Sequence, residues 1–311
     1  MKVNILLSTY NGEAYLREQV ASIQAQSHKD WNLLIRDDGS RDSTRQIIEE
    51  LVAEDERIRF INPDSQENLG VIKSFHALLT YEKADYYLFS DQDDVWVKDK
   101  LLIQLEEALK YPTPLPILVY TDLKVVDQEL KVLHESMITT QSGHANTELI
   151  QEITENTVTG GVSLINHSLA QLWTGQEEYP LLMHDWYLAL LAASQGKLIY
   201  LDQATELYRQ HTSNVLGART LRKRMQNWIR PQVLFAKYWK LIGDSQAQAR
   251  NLLNLQLRKK DREMIENFVT IMDQPMKERY HRLKKYGYRK NKAFHTFVFT
   301  FLILTKFAYK E

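Results

Sequence analysis

Through the first third of the chain, short apolar runs alternate with segments in which apolar residues recur every three or four positions. The short runs are typical of buried strands, and the longer spacing is typical of amphipathic helices. Strands that alternate with helices in this way predict an α/β fold with right-handed βαβ crossovers and a mostly parallel sheet. The predicted strands are residues 3–7, 31–36, 58–61 and 86–89, and the predicted helices are residues 13–26, 43–52, 71–81 and 98–110.

The middle of the chain continues this pattern less regularly. Gly160 and Gly161 interrupt a β-prone run, which predicts either close approach of the backbone to a ligand or a plain bulge. The other predicted features are a proline-rich connector at 111–116, a strand at 117–126, a loop or lid with weak helix at 136–154, an apolar helix from 184 and a strand at 197–201.

Polar clusters follow three of the predicted strands at the points where those strands end. They occupy residues 8–11, 37–40 and 91–94. In open α/β sheets, ligands bind outside the carboxyl ends of the strands, and parallel strands bring those ends to one edge. The three clusters together therefore predict a nucleotide-type pocket at that edge.

The most acidic of these clusters is Asp91-Gln92-Asp93-Asp94, directly after an apolar strand. Carboxylates so close together at the edge of a core repel each other unless a cation or basic partner compensates them. Hard oxygen ligands favour Mg or Mn over zinc. The alternative interpretation is an ordinary Asp-rich surface turn, with Asp94 capping the following helix.

Asp37 and Asp38 allow a similar pair of interpretations. One carboxylate caps the next helix, and the other points into the pocket, where it could accept the imide N–H of uracil or thymine. The phosphate-binding motifs GxGxxG and GxxxxGK[ST] are both absent from the sequence. Their absence disfavours a dinucleotide oxidoreductase and a P-loop ATPase.

Three residues farther along the chain are candidates for chemistry. Asp185 stands near the start of an apolar helix, so it is either a helix cap or a general base that takes a proton from an attacking hydroxyl. His211 follows an apolar strand and is either a structural residue or a ligand. Arg209 contacts either a phosphate or solvent.

These motifs, in this order, resemble the signatures of family 2 glycosyltransferases with the GT-A fold, over roughly residues 1–215. Within that family, the residues around Asp91 and Asp185 look most like those of bacterial rhamnosyltransferases, in particular the streptococcal enzymes that extend the cell-wall rhamnose polysaccharide. The motifs are Ser8-Thr9-Tyr10-Asn11, Asp37-Asp38-Gly39-Ser40, Phe89-Ser90-Asp91-Gln92-Asp93-Asp94-Val95-Trp96, Gly160-Gly161 and His184-Asp185-Trp186.

The resemblance implies an inverting rhamnosyltransferase that uses dTDP-β-L-rhamnose and Mn or Mg and forms an α-linked product. Asp185 would be the catalytic base. The implied acceptor is a hydroxyl of a lipid-linked, rhamnose-containing glycan in cell-wall polysaccharide synthesis. The implied donor-binding residues are Ser8, Thr9, Tyr10, Asp38, Asp91 and Arg209, and the implied metal ligands are Asp93, Asp91 and His211.

Charge divides the chain into two predicted parts, a catalytic domain at 1–217 and a basic helical region at 218–311. The second part has 22 Lys and Arg against 7 Asp and Glu, whereas the first has 17 against 33. Residues 221–230 mix cations with Met, Trp and Ile, as interfacial helices do. The apolar stretch 294–305 is shorter than the roughly 20 residues of a membrane span. It is therefore predicted to lie on the inner leaflet or to pack as a buried helix.

Several alternatives stay open at this point. The chain has no cysteine, which excludes thiolate catalysis, zinc–thiolate sites and disulfides. Its N-terminus enters a strand without a basic leader, so we expect catalysis at the cytoplasmic face of the membrane. The basic region could instead serve a homo-oligomer. The rival functions are transfer of another sugar, a metal-dependent nucleotidyltransferase and a nonenzymatic nucleic-acid-binding protein, although the favoured function needs no nucleic acid.

Overall fold

A computed structural model of the chain describes residues 1–175, 180–211 and 231–309. Its strands are β1 (Val3–Thr9), β2 (Asn32–Asp37), β3 (Ile58–Phe60), β4 (Tyr86–Ser90), β5 (Val95–Trp96), β6 (Ile117–Val126), β7 (Val132–His134), β8 (Ser163–Asn166) and β9 (Lys197–Arg209). Its helices are α1 (Leu16–Gln24), α2 (Thr44–Glu54), α3 (Val71–Tyr81), α4 (Lys100–Ala108), α5 (Met137–Gln141), α6 (Leu149–Glu152), α7 (His167–Thr174), α8 (His184–Gln195), α9 (Pro231–Arg250), α10 (Lys259–Val269), α11 (Met276–Tyr286) and α12 (Ala293–Thr305).

The strands of the described ranges form one mixed sheet in the order β3-β2-β1-β4-β8-β6-β9-β5, with β7 beside β6. The first four strands are parallel, which confirms the predicted βαβ half. The prediction of a mostly parallel sheet is wrong for β8, which runs antiparallel to both β4 and β6, whereas β6 and β9 are parallel to each other. The reason is that the chain between β6 and β8 returns at the same end of the sheet instead of crossing over.

Both faces of the parallel half are buried, which explains why its strands are apolar at nearly every position. In β1, Ile5 and Leu7 face the layer that contains α1, α2 and α4. Leu6 faces the opposite layer, which contains α3, α7 and α8. All three side chains are fully buried. This alternation fixes the register of β1, so the polar residues that follow it emerge at the edge of the sheet.

Gly160 and Gly161 do not lie within a strand, as the sequence predicts, but in a tight 3₁₀ turn that leads into β8. A Cβ at Gly161 would lie 2.5 Å from Oε1 of Glu206, and one at Gly160 would lie 3.1 Å from Nε2 of His184. The glycines therefore permit close approach by side chains of this same chain.

The C-terminal helices pack directly on the sheet domain. Ile242 of α9, Phe268 of α10 and Leu302 of α12 belong to the same apolar cluster as Leu188 of α8, and all four are essentially inaccessible. The expected helix at 294–305 is confirmed as α12. Both the proposed boundary at residue 217 and the interfacial segment 221–230 lie outside the described residues.

None of the helices in the described ranges has both the length and the apolar character needed to cross a membrane.

Candidate active site

Four strand ends bring the predicted site residues together. The register pairs Thr9 of β1 with Asp37 of β2, and Leu7 with Ser90 of β4, so the three polar clusters lie side by side. The strand predicted at 197–201 continues to Arg209, which places the start of the 209–211 segment at the same edge. The common edge predicted from the sequence is therefore present.

Thr9 and Ser8 are held by neighbouring side chains. Thr9 is buried, and its hydroxyl donates to Oδ1 of Asp37 at 3.1 Å. Asp37 in turn accepts from the backbone N–H of Ser40 at 3.0 Å. The Ser8 hydroxyl lies 2.7 Å from that of Ser74 on α3. These contacts make the floor of the predicted nucleotide pocket rigid.

Asp38 stabilises the loop before α3. Its carboxylate accepts from Arg36 Nη1 at 2.6 Å and from the backbone N–H groups of Leu69 and Gly70 at 2.7 and 2.9 Å. A carboxylate can accept about four hydrogen bonds, so one acceptor position remains for a ligand donor.

The prediction that Asp37 or Asp38 caps the next helix is wrong. The residue before α2 is Ser43, and its neighbour Asp42 accepts from the Thr44 N–H at 3.0 Å.

Tyr10 lies at the mouth of the site, half exposed. The Gln92 amide accepts from its N–H at 2.8 Å and donates to its carbonyl at 2.9 Å. A Cβ at Gly12 would collide with the same amide. Gln92 thus ties the end of β1 to the acidic turn at 91–94, a role that its position between two aspartates does not reveal in the sequence.

The acidic turn is strongly electronegative. Burial raises the pKa of Asp91 to about 8, and the nearby Asp93 carboxylate is the next largest cause. Burial likewise raises the pKa of Asp94, followed by the effect of Glu206. Asp94 Oδ1 accepts from the N–H of Arg209 at 2.9 Å, whereas Oδ2 has no hydrogen-bond partner in the described ranges. The prediction that Asp94 caps the following helix is therefore wrong, since it binds β9 instead.

Lys100 is an internal cation beside this turn. Its side chain is fully buried, and Nζ lies 2.5 Å from Oε2 of Glu206. It also donates to the carbonyl of Gly161 and lies 4.0 Å from the centre of the Trp96 ring. Burial lowers the pKa of Lys100, while Glu206 opposes that shift. Neither Lys100 nor Glu206 is identifiable from the sequence, because isolated charges in a helix and a strand are usually solvated.

The side chains near Asp93 could supply part of the ligand set of a divalent cation. Asp93 Oδ2 lies 2.6 Å from Nε2 of His211, and the His211 ring packs 5.2 Å from that of Tyr15. No group of three or more candidate side chains that could hold an ion occurs in the described part of the chain. Mg²⁺ typically takes one or two protein carboxylates, with phosphate oxygens and water as its other ligands. Burial, followed by the charge of Asp93, raises the pKa of Asp91, and a bound cation would favour the ionised form of this carboxyl group.

Arg209 lies inside the protein and is only 2% exposed. Its Nε donates to the carbonyl of Asp93 at 2.9 Å, and its two terminal nitrogens donate to Gln128 and Glu18. The guanidinium also lies 4.6 Å from the centre of the Tyr15 ring. Arg209 therefore links the acidic turn to β9 and does not lie in solvent, while its contact with a phosphate stays a prediction.

Asp185 occupies the first turn of α8, facing the paired glycines. Its Oδ2 accepts from the Gly160 N–H at 3.2 Å, and Oδ1 accepts from the Trp186 N–H at 2.6 Å. Burial raises its pKa to about 6. It contributes to the raised pKa of Asp91, so the structure brings the two carboxylates into one electrostatic site. A carboxylate with such a pKa is ionised near neutral pH and is a stronger base than an exposed one.

Two neighbours of Asp185 have different roles. His184 stacks on Trp173 with ring centroids 5.9 Å apart, and burial lowers its pKa to about 3, so it is a neutral packing residue. Glu152 of α6 is buried, and burial raises its pKa to about 8. Its carbonyl accepts from the indole N–H of Trp186 at 2.8 Å. Sequence reasoning missed Glu152 because it lies in a polar stretch without a clear pattern.

Comparison with known proteins gives a consistent family assignment. The family model "Glycosyl transferase family 2" matches residues 4–170. The dTDP-rhamnosyl transferase RfbG of Shigella flexneri is 31% identical over 222 residues, which cover 68% of this chain and 74% of that protein. The UDP-Glc:alpha-D-GlcNAc-diphosphoundecaprenol beta-1,3-glucosyltransferase WfgD of Escherichia coli is 31% identical over 108 residues, 35% of this chain and 41% of that one.

Solved structures support the fold. S. aureus TarS 1-349 in complex with UDP-GlcNAc superposes with a TM-score of 0.61 at 17% identity, covering 92% of this chain and 80% of that chain. The mannosyltransferase PcManGT from Pyrobaculum calidifontis, in complex with GDP-Man and Mn2+, superposes with a TM-score of 0.53 at 12% identity, covering 91% and 73%. These likenesses confirm the GT-A-like α/β architecture followed by helices.

Proposed function

The chain belongs to glycosyl transferase family 2, and on that premise we propose that it transfers L-rhamnose from dTDP-β-L-rhamnose, with inversion, to a lipid-linked glycan. The observation that carries the choice of donor is the 31% identity to a dTDP-rhamnosyl transferase over most of both chains. The acceptor hydroxyl would belong to a rhamnose-containing glycan of a bacterial cell-wall polysaccharide.

The nucleotide of the donor would bind along the ends of β1, β2 and β4. Thr9 and Tyr10 flank the edge, and Ser8 supports it from below. The one remaining acceptor position of Asp38 suits the imide N–H of thymine. Asp91 would lie on the ribose side. For Arg209 we propose that any effect on the diphosphate is exerted through the position of the acidic turn, because the guanidinium already binds that turn.

Asp93 and His211 would hold Mn or Mg, with Asp91 near it, and the bound ion would stabilise the negative charge of the departing diphosphate. Both side chains are less than one-fifth exposed, which limits competition from water. Lys100 already neutralises the adjacent Glu206. The bound cation would therefore compensate the carboxylates of Asp91 and Asp93. The donor set of oxygen and imidazole nitrogen suits these cations.

Asp185 would act as the general base. The acceptor oxygen forms a bond to the anomeric carbon while the bond from that carbon to the diphosphate oxygen breaks, and the hydroxyl proton goes to Asp185. The N–H groups of Gly160 and Trp186 fix the carboxylate in position. A single displacement of this kind inverts the anomeric configuration, so a β-linked donor gives an α-linked product.

We also propose that residues 218–311 associate with the inner leaflet and that residues 1–217 form the catalytic domain. The basic balance of the C-terminal part, 22 cationic against 7 acidic residues, supports an anionic partner. A lipid-linked acceptor would place the substrate at the same surface, on the cytoplasmic face.

The test is a screen of nucleotide sugars with a synthetic lipid-linked acceptor, in which nucleoside diphosphate release and product are measured together. We expect release of dTDP and an α-linked rhamnosyl product. Faster turnover of UDP-glucose than of dTDP-rhamnose would show that the donor is a different nucleotide sugar, and the reaction would still be glycosyl transfer. Release of pyrophosphate would instead identify a nucleotidyltransferase and overturn the proposal.

A further inference from the structure

Helix α12 is apolar on all sides, although only one side of it is buried. Phe299, Leu302 and Ile303 are completely inaccessible and pack into the core. On the other side, Phe297 is 69% exposed and Phe301, one turn later, is 39% exposed. A helix that is hydrophobic all round is normally covered on all sides. The exposed side of α12 therefore indicates a contact that the chain itself does not provide within its described ranges.

The exposed surface extends beyond the helix. Phe307 is half exposed, and its ring lies 6.0 Å from that of Phe301. Met276 and Tyr280 of α11, which are 60% and 49% exposed, line a shallow groove next to α12. We call these five residues the aromatic face: Phe297, Phe301, Phe307, Met276 and Tyr280. Leu304 of α12 lines the same groove, and exposed apolar side chains gathered in this way mark an interaction site.

Cations surround the aromatic face. Lys277 lines the groove, Lys284 Nζ lies 5.1 Å from the centre of the Tyr280 ring, and Lys306 ends α12 beside Phe307. Residues 231–309 contain 16 Lys and Arg against 6 Asp and Glu. Long basic side chains beside aromatic rings can extend toward phosphate headgroups while the rings insert below them. The same charge would repel a second copy of this surface.

We propose that the aromatic face docks on an anionic lipid bilayer, lying at the boundary between headgroups and acyl chains without crossing it. This inference rests on the proposed lipid-linked acceptor, and it names the part of the C-terminal region that makes the contact. Phe297 and Phe301 insert, and the surrounding lysines bind the headgroups.

The docked helix is connected to the base through a short path. Just before α12, the N–H of Asn291 donates to Glu155 at 2.9 Å. Glu155 follows α6, whose Glu152 carbonyl accepts from the indole of Trp186 at 2.8 Å. Trp186 is the neighbour of Asp185. These contacts join α12 to the segment that carries the proposed base, so docking would hold Asp185 at a fixed distance from the membrane surface.

Vesicle flotation of the full-length protein tests the proposal. Phe297→Ser/Phe301→Ser should bind both phosphatidylcholine vesicles and vesicles containing phosphatidylglycerol at least about tenfold more weakly than the parent. The matched control is Tyr81→Ser/Leu109→Ser, which changes two similarly exposed residues of the sheet domain and should bind as the parent does.

A charge series gives a second measurement. Lys277→Glu/Lys306→Glu should lose more than about tenfold of the binding to phosphatidylglycerol vesicles and little of that to phosphatidylcholine. Lys98→Glu/Lys131→Glu, which alters exposed lysines outside the aromatic face, is the control. Transfer to a water-soluble acceptor should stay unchanged in all four variants, so a failure of docking is distinguishable from a failure of the proposed reaction.

Three results would overturn the inference. The first is equal flotation of the parent and the phenylalanine variant. The second is an equal loss of binding in the Tyr81 and Leu109 control. The third is a dimer, seen by sedimentation, that the phenylalanine variant dissociates while vesicle binding persists, because the occupant would then be a second copy of the chain.

Discussion

Replacement of Lys100 by methionine is the sharpest test of the electrostatics inside the site. Methionine retains most of the side-chain volume and removes the positive charge. The change leaves Glu206 without its 2.5 Å partner in a place where its side chain is only 1% exposed. It also removes the donor to the carbonyl of Gly161.

The expected destabilisation follows from the burial of both partners. Removing one member of a buried ion pair typically costs about 3–5 kcal/mol, because the other charge stays buried and uncompensated. For a protein of this size that corresponds to a fall in the unfolding midpoint on the order of 10 °C. The contact with the Trp96 ring at 4.0 Å adds to the loss. Burial, followed by the charge of Glu206, also raises the pKa of nearby Asp94, so the loss of Lys100 would leave two buried acidic residues side by side.

Thermal and urea unfolding of the full chain would measure this effect. Lys110→Met is the matched control, since Lys110 pairs with Glu107 at 2.6 Å but is 65% exposed, and its loss should lower the unfolding midpoint far less than Lys100→Met does. The double variant Lys100→Met/Glu206→Gln should recover part of the stability, because the uncompensated charge is removed. Equal unfolding midpoints for the two single lysine variants would refute the argument. So would strict additivity, in which Glu206→Gln lowers the stability of Lys100→Met by as much as it lowers that of the parent.

Four further predictions concern the reaction and the site around it. Asp185→Asn should lower kcat about 10²–10⁴-fold with little change in dTDP affinity by calorimetry. In the parent, kcat should decline as the pH falls through about 6, because burial raises the pKa of Asp185 to that value and the base must be ionised; a rate that is flat down to pH 5 would exclude this role. Asp93→Ala and His211→Ala should each weaken dTDP binding in Mn or Mg but not in EDTA, and identical metal dependence in parent and variants would contradict the assignment. Gly161→Ala should lower both stability and activity, because its Cβ would lie 2.5 Å from Glu206, and unfolding and turnover at wild-type levels would contradict that contact.

The local pattern along the chain was sufficient to predict the parallel half of the fold and the position of the site. Apolar runs that alternate with helical periodicity are typical of a parallel sheet covered by helices, and right-handed crossovers bring the carboxyl ends of its strands to one edge. For this reason the sequence alone is enough to place the clusters after β1, β2 and β4 together. The motifs around Asp91 and Asp185 further indicated the glycosyltransferase family.

The partners of the charged residues were decided only by the tertiary structure. Lys100 and Glu206 are 106 positions apart, and each alone resembles a solvated surface charge. Nothing in the sequence indicates that Arg209 lies inside the protein and donates to the backbone of Asp93. The sequence thus determined which strand ends form the site, because hydrophobic periodicity is local. Which charges neutralise one another there depends on long-range proximity and on burial, and neither is encoded in the spacing of residues along the chain.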